Sequence, residues 1–228
     1  MLTNKDSAVL NALLDPENSL NNTLPMEACK HASSNISSTQ REQEQQILQA
    51  VRPLNDLAPS PDVVRHSISV FDKIISIDPT CASAYANRAQ ATQLLPQSTE
   101  NLSQTLQDLA RAIELSMSGR TCGEGTVENA QVFATAHTHR GCLLLKASSN
   151  PVFQELLRAA DFKYQGVTTT EFEQLASKDF AIAGRYGNRL AQSLAVRTNP
   201  YAKLCGKIVQ EALEKEMSEF SKMGRSTA

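Results

Sequence analysis

The chain has little of what marks several common protein classes. It has no tryptophan, and its five cysteines are scattered without a C-x-x-C pair, which fits reduced thiols better than a disulfide framework. No run of about eighteen apolar residues is present, so we predict no membrane-spanning segment. The N-terminus has no basic stretch leading into an apolar core, so we predict no signal peptide. We therefore expect a cytoplasmic protein.

The charge is nearly balanced, with 22 basic and 24 acidic residues and a formal net charge of -2. A general nucleic-acid binder would need a clustered excess of lysine and arginine, so this class is excluded. With 41% hydrophobic residues in 228, the composition is typical of one large globular domain or an array of repeats.

The clearest pattern lies between residues 79 and 115. Small and apolar residues recur there at steps of three and four in two successive segments, which predicts a helix, a turn and a second helix. No segment has the alternation of a strand, so we predict an all-α fold. The recurring residues are Ala84, Tyr85, Arg88, Ala89 and Thr92 in the first segment, and Leu102, Leu106, Leu109, Ala110 and Ile113 in the second.

Similar helix pairs recur on both sides of this stretch, at offsets typical of tetratricopeptide repeats, whose period is about 34 residues. The segments Asn87-Arg88-Ala89 and His139-Arg140-Gly141 occupy the same place in two successive units. We predict a tetratricopeptide-repeat helical-hairpin array, an α-solenoid, with a C-terminal capping helix. The three repeats are placed at about 45–79, 80–118 and 126–188, and the third carries an irregular insert near 147–171.

The segments outside the repeats are predicted from their composition and start signals. Residues 1–16 form a short helix, which either lies in the binding groove and competes with ligand or packs elsewhere, and residues 17–42 form a flexible linker. Asn199 and Pro200 begin the capping helix and tail at 199–228. The apolar stripe of this helix is expected to be buried on the last repeat: Tyr201, Leu204, Cys205, Ile208, Val209, Ala212, Leu213 and Met217.

The order of these parts resembles the tetratricopeptide repeat protein 36 family. The matching segments are Ala8-Val9-Leu10 with Asp15-Pro16, residues 84–90, residues 109–115, Arg140-Gly141, and Asn-Pro-Tyr-Ala-x-Leu-Cys at 199–205. The last is the most specific outside the central repeat, because the general repeat pattern does not require it. The resemblance covers most of the chain except the linker, the loop at 116–126 and the insert. It implies a non-enzymatic adaptor linked to the seventy-kilodalton heat-shock chaperone and to tyrosine metabolism.

The candidate binding site is the concave groove that the first helices of such repeats line. We predict that a protein or peptide binds there, at Asn87, Gln90, His139, Cys142 and Lys146. A carboxylate clamp needs charge-assisted donors, but Thr135 and His139 stand where lysine and arginine belong, so we predict an incomplete clamp. Arg88 and Arg140 are interpreted as structural contacts between helices.

No catalytic arrangement or cofactor motif is found, so we predict a non-enzymatic protein without a cofactor. His137 and His139 are two residues apart on a predicted helix and therefore face different sides, which argues against a metal site. The alternative function is a structural subunit of an oligomer, whose C-terminal apolar stripe is buried between subunits and whose groove stays empty.

Overall fold

The structure is a computed structural model that describes residues 38–56, 58–117 and 129–225. The predicted N-terminal helix at 1–16, most of the predicted linker and most of the loop at 116–126 lie outside the described residues. The described residues form helices and no strand, which confirms the all-α class. Nine α-helices are described: α1 Ser38–Val51, α2 Pro61–Ile77, α3 Ala82–Thr92, α4 Thr99–Ser116, α5 Ala130–Ser149, α6 Pro151–Ala160, α7 Thr169–Arg185, α8 Arg189–Thr198 and α9 Pro200–Arg225.

Helix α1 begins earlier than predicted from the sequence. It starts at Ser38, inside the stretch predicted as linker up to residue 42. The residues from Gln40 onward are mostly glutamine, glutamate and arginine, which favour helix even though they carry little apolar surface. Pro53 lies in a short 3-10 turn, Arg52–Asn55, that follows the helix.

Helix α3 lies between two hydrophobic clusters. Ala84 and Ala91 pack in a cluster with α1 and α2, whereas Ala86 and Ala89 pack in the larger cluster that runs through α4, α5 and α7. All four alanines are almost fully buried. Alanine side chains are small enough for α3 to approach helices on both sides, so the central stretch joins the two clusters.

The helices pack largely in chain order, as expected for stacked helix pairs. Each of α1 to α4 packs against the helix that follows it, α5 packs against α7, and α7 packs against α8. Helix α3 also lies beside both α1 and α5. This arrangement is consistent with a tetratricopeptide-like array.

The insert near 147–171 is helical, so the prediction of an irregular segment is wrong. Asn150 accepts a hydrogen bond at 3.0 Å from the backbone N–H of Phe153, and Pro151 occupies the first turn of α6. Phe153 and Leu157 of α6 are buried in the main cluster, where α6 packs against α4 and α5. An Asn-Pro pair is the same start signal that identified α9.

The C-terminal region differs from the prediction in two ways. Helix α8, which the sequence reading passed over, packs against α7 and buries Ala191. Helix α9 begins at Pro200 as predicted, but its stripe is exposed rather than buried on the last repeat. The short helix α8 occupies the surface of α7 that α9 was expected to cover. None of the described helices combines the length and the apolar character that a membrane span requires.

Candidate functional site

The five predicted groove residues lie on two neighbouring helices. Asn87 and Gln90 belong to α3, and His139, Cys142 and Lys146 belong to α5, which lies beside α3. At about 100° per residue, the members on each helix fall within roughly 60° of one another around the helix axis. We call this set of five residues the α3–α5 face.

Asn87 is engaged within its own helix. Its side-chain amide donates a hydrogen bond of 2.7 Å to the carbonyl oxygen of Ser83, one turn earlier. The side chain is half-buried, and its amide oxygen keeps acceptor capacity. Asn87 therefore supports its own helix and offers at most part of its amide to a ligand.

His139 is a neutral member of the α3–α5 face. Its ring is half-buried, and burial lowers its pKa to about 4. The Nδ1 atom is fully covered and has no hydrogen-bond partner among the described residues. At neutral pH, His139 therefore carries no charge that could attract a carboxylate.

The remaining members of the face are exposed. Gln90 is exposed on the surface of α3, and Cys142 is exposed on α5. Partial burial of the Cys142 thiol raises its pKa, so the sulfur stays protonated and is a weak nucleophile. The ammonium of Lys146 lies 4.3 Å from the centre of the Phe153 ring, a cation–π contact between α5 and the insert helix.

The structure lacks the cations that a carboxylate clamp needs at the third repeat. Thr135 is half-buried and uncharged, and His139 is neutral at neutral pH. Charge-assisted hydrogen bonds are about twice as strong as neutral ones, so Thr135 and His139 do not supply the strong contacts that a clamp makes with a free carboxylate.

Arg88 joins three helices through carboxylates. It donates two hydrogen bonds, of 2.8 and 2.6 Å, to the buried Asp108 of α4, and one of 2.6 Å to Asp72 of α2. Gln104 donates a further hydrogen bond of 2.9 Å to Asp108. The hydrogen bonds that Arg88 donates to Asp108 raise the pKa of Arg88, although burial opposes this, so the guanidinium is permanently charged.

Arg140 makes the equivalent contact in the third repeat. It donates hydrogen bonds of 2.8 and 2.7 Å to the two oxygens of Asp179 on α7, and His137 Nδ1 lies 2.8 Å from the same carboxylate. Burial acts to raise the pKa of Asp179, but hydrogen bonds from Arg140 and His137 outweigh it and lower that pKa. The structural role predicted for both arginines matches these contacts.

The aspartate partners of Arg88 and Arg140 were not identified from the sequence. Asp108 is 20 residues after Arg88, and Asp179 is 39 residues after Arg140, so the second spacing is 19 residues longer and spans α6. Each aspartate immediately precedes a large core residue, Leu109 or Phe180, which is the signal that could have identified it.

Arg140, His137 and Asp179 form one hydrogen-bonded cluster, in which Arg140 is half-buried and the other two residues are buried. Among the residues that the structure describes, no group of three or more His, Cys, Asp or Glu side chains is arranged to hold a metal ion. The accessible chemistry of the α3–α5 face is hydrogen bonding by amides and one ammonium.

Comparison with known proteins gives relatives that match nearly the whole chain. The L-tyrosine degradation gene cluster protein hmgX of Aspergillus fumigatus is 37% identical over 243 aligned positions, covering 95% of this chain and 93% of the relative. Tetratricopeptide repeat protein 36 of Bos taurus is 27% identical, covering 93% of this chain and 95% of the relative. The same protein of Danio rerio is 31% identical over 155 residues, 66% of this chain and 63% of the relative.

No protein-family model matches the chain, and no solved structure matches it. Because the alignments cover 95% and 93% of the chain, the relationship is not confined to one helix pair. The chain belongs to the tetratricopeptide repeat protein 36 family, as its resemblance to that family predicted.

Proposed function

We propose that this chain is a non-catalytic adaptor that binds a protein acting in tyrosine degradation, through the α3–α5 face. The observation that carries the proposal is the full-length similarity to a protein named for an L-tyrosine degradation gene cluster. An adaptor needs an accessible polar surface on a rigid scaffold, and α3 and α5 supply it from two well-packed helices.

The character of the face favours one kind of ligand. Gln90 and Lys146 are exposed donors, whereas His139 is neutral and Asn87 is partly satisfied by Ser83. An extended peptide segment presents backbone carbonyls that such donors can bind. We therefore propose an internal segment of the partner as the ligand, rather than its C-terminal carboxylate.

A non-catalytic role is supported by how the ionisable groups are used. Asp108 and Asp179 are paired with Arg88 and Arg140 through hydrogen bonds, and burial raises the pKa of the Cys142 thiol. Catalytic groups instead combine accessibility with a pKa suited to proton transfer or nucleophilic attack.

A matched pair of substitutions tests the proposal. Gln90→Arg places a bulky cation on the α3–α5 face, and Gln107→Arg makes the same change at an exposed position of α4. The tagged chains are used to capture partners from an extract of native cells grown on tyrosine, with identification by mass spectrometry. We expect enzymes of tyrosine degradation with the wild type and Gln107→Arg, and their loss with Gln90→Arg. Equal capture by all three proteins would contradict binding at this face.

The seventy-kilodalton heat-shock chaperone is the second proposed partner, on the resemblance alone. A peptide with the chaperone's own C-terminal sequence tests whether the chaperone binds through its terminal carboxylate or through other contacts. If the chaperone binds the incomplete clamp, amidating the peptide's carboxylate will change its affinity little, because Thr135 and His139 supply no cation. A large loss of affinity on amidation would show that a clamp exists elsewhere.

The alternative function, a structural subunit of an oligomer, is favoured by one specific observation. The apolar stripe of α9 is exposed along its length. A subunit of this kind would assemble through α9 and would capture no partner at the α3–α5 face. An oligomer that forms while Gln90→Arg leaves every interaction unchanged would favour this alternative.

A further inference from the structure

The arginine and lysine side chains of α3 and α5 are not all neutralised. Neither helix contains an aspartate or glutamate, and together they carry Arg88, Arg140 and Lys146. Arg88 is paired with Asp108, and Arg140 is paired with Asp179, both from other helices. Lys146 takes part in no ion pair among the described residues. Within the described ranges, it is therefore the one lysine or arginine of these two helices that is available to a ligand.

An aromatic ring, rather than a carboxylate, holds the Lys146 side chain. Its Nζ atom lies 4.3 Å from the centre of the Phe153 ring, and Phe153 is only 3% exposed because α6 packs on α4 and α5. Lys146 itself is exposed, so the ring covers one side of the ammonium and leaves its other N–H donors open to solvent. The acidic residue of α6, Glu155, is already bonded to Arg158.

Lys146 lies on the same side of α5 as His139. Seven residues separate them, which is close to two full turns, so they are about 10 Å apart along the helix axis. His139 is neutral at neutral pH, and Cys142 between them carries a protonated thiol. The five residues of the α3–α5 face therefore carry a single charge, which is positive and lies in the last turn of α5.

We propose that the partner segment bound at the α3–α5 face carries an acidic side chain whose carboxylate pairs with Lys146, and that Phe153 positions the ammonium for this contact. The inference rests on the proposed function and adds the chemical class of the ligand to it. A lysine loses side-chain freedom when it forms an ion pair, and its contact with Phe153 reduces that loss beforehand. Charge complementarity of this kind determines mainly which partner is selected.

The single positive charge also limits what the ligand can be. A polyanion such as RNA would need several clustered cations, whereas α3 and α5 offer one. A basic segment would bring a like charge against Lys146, which is unfavourable. One carboxylate within an otherwise uncharged stretch of peptide is the composition that matches the face.

Selection from a peptide library tests the charge preference. The probe is a library of short randomised peptides that are acetylated and amidated at their ends, so that every carboxylate is on a side chain. We expect the wild type to enrich aspartate or glutamate at one position of the bound peptides. Lys146→Arg should keep this enrichment, and Lys146→Gln should lose it. Lys146→Glu should instead enrich lysine or arginine at that position.

A double-mutant cycle tests the positioning role of Phe153. Phe153→Leu keeps a buried apolar side chain but removes the ring, and should weaken binding of a selected acidic peptide about threefold. In the Lys146→Gln background the same change should leave the affinity unchanged, because the ammonium is already absent. Leu157→Met alters another buried side chain of α6 and is the control. An equal effect of Phe153→Leu in both backgrounds would mean that Phe153 acts through packing alone.

Failure of the charge pairing can be told apart from failure of the proposed function. Gln90→Trp blocks the α3–α5 face without adding a charge. If it abolishes binding of peptides that show no acidic preference, the pairing with Lys146 is overturned and the proposed function stands. Acidic enrichment that survives in Lys146→Gln would also overturn the pairing. If no peptide binds, or if Gln90→Trp binds the same peptides as the wild type, both proposals are overturned.

Discussion

Arg140 holds both oxygens of Asp179, with hydrogen bonds of 2.8 and 2.7 Å, across 39 residues of sequence. Arg88 holds Asp108 in the same way across 20 residues. Each arginine–aspartate bond joins two helices that pack against each other, α3 with α4 and α5 with α7. The second pair keeps this contact although α6 lies between its two helices in the sequence.

Removing the charge of Asp179 should strongly destabilise the fold. Asp179→Asn leaves the half-buried Arg140 without its counter-charge, a loss that costs about 3–5 kcal/mol in a buried pair. Urea unfolding followed by circular dichroism measures the change. Asp62→Asn, in the exposed ion pair with Arg65, is the control and should cost less than about 1 kcal/mol. Similar costs for the two variants would contradict a structural role for Asp179.

Gly141 lies where no side chain fits. A Cβ atom there would lie 2.7 Å from the Phe180 ring, whereas a Cβ at Gly206 of α9 would meet nothing within 4 Å. Gly141→Ala should therefore lower the free energy of unfolding by about 1–3 kcal/mol, although alanine favours helix. Thermal unfolding measures this loss of stability. Gly206→Ala is the control and should not lower the stability.

A second substitution relieves the clash at Gly141. The equivalent pair in the second repeat is Ala89 with Leu109, and both are fully buried. Phe180→Leu combined with Gly141→Ala should thus recover part of the stability that Gly141→Ala loses. If the double variant is no more stable than the sum of the two single changes predicts, steric conflict with Phe180 is not the cause.

The stability of the protein should fall in mildly acidic solution because of His139. Its pKa in the folded state is lowered to about 4, so below pH of about 6.5 the unfolded chain binds a proton that the folded chain does not. Stability is therefore fully present above that pH and is lost as pH falls toward 4, by about 1.4 kcal/mol per pH unit and at most about 3.5 kcal/mol.

His139→Gln removes this titration. Urea unfolding at a series of pH values should show the wild type losing stability relative to His139→Gln between pH of about 6.5 and 4. Asp179 acts in a separate window, because its pKa is lowered and its contribution is lost only at more acidic pH. Parallel curves for the two proteins would mean that His139 is not buried as the structure has it.

The insert helix should contribute to the stability of the whole array. Leu157 is fully buried in the main cluster, so Leu157→Ala is expected to cost about 2–5 kcal/mol. Val152 on the same helix is 81% exposed, and Val152→Ala should stay within about 0.5 kcal/mol. Chemical denaturation compares the two. A negligible cost for Leu157→Ala would show that the insert is an independent appendage.

Much of the helical architecture could be read from local patterns. The central pair α3 and α4 follows from apolar spacing, and the start of α9 follows from Asn199 and Pro200. The same Asn-Pro signal at Asn150 and Pro151 begins α6, although the insert was predicted to be irregular. Helix starts are thus encoded locally by capping side chains.

Whether an apolar stripe becomes buried or stays exposed is not determined by the local sequence. The apolar residues of α9 have the spacing of a buried face, yet α8 already packs on α7. A sequence pattern does not show which of two helices will cover a given surface. The candidate site shows the same limit. Gln90 and Cys142 are exposed as a binding role requires, whereas the covering of His139 Nδ1 and the Asn87–Ser83 bond depend on packing.

Hydrogen–deuterium exchange of the chain, with and without a captured enzyme of tyrosine degradation, tests the adaptor account most directly. The account predicts that the partner slows exchange in peptides covering α3 and α5, around Gln90 and Cys142, and leaves α6 unchanged. Protection confined to α9 or to the insert, with no change in α3 and α5, would contradict it.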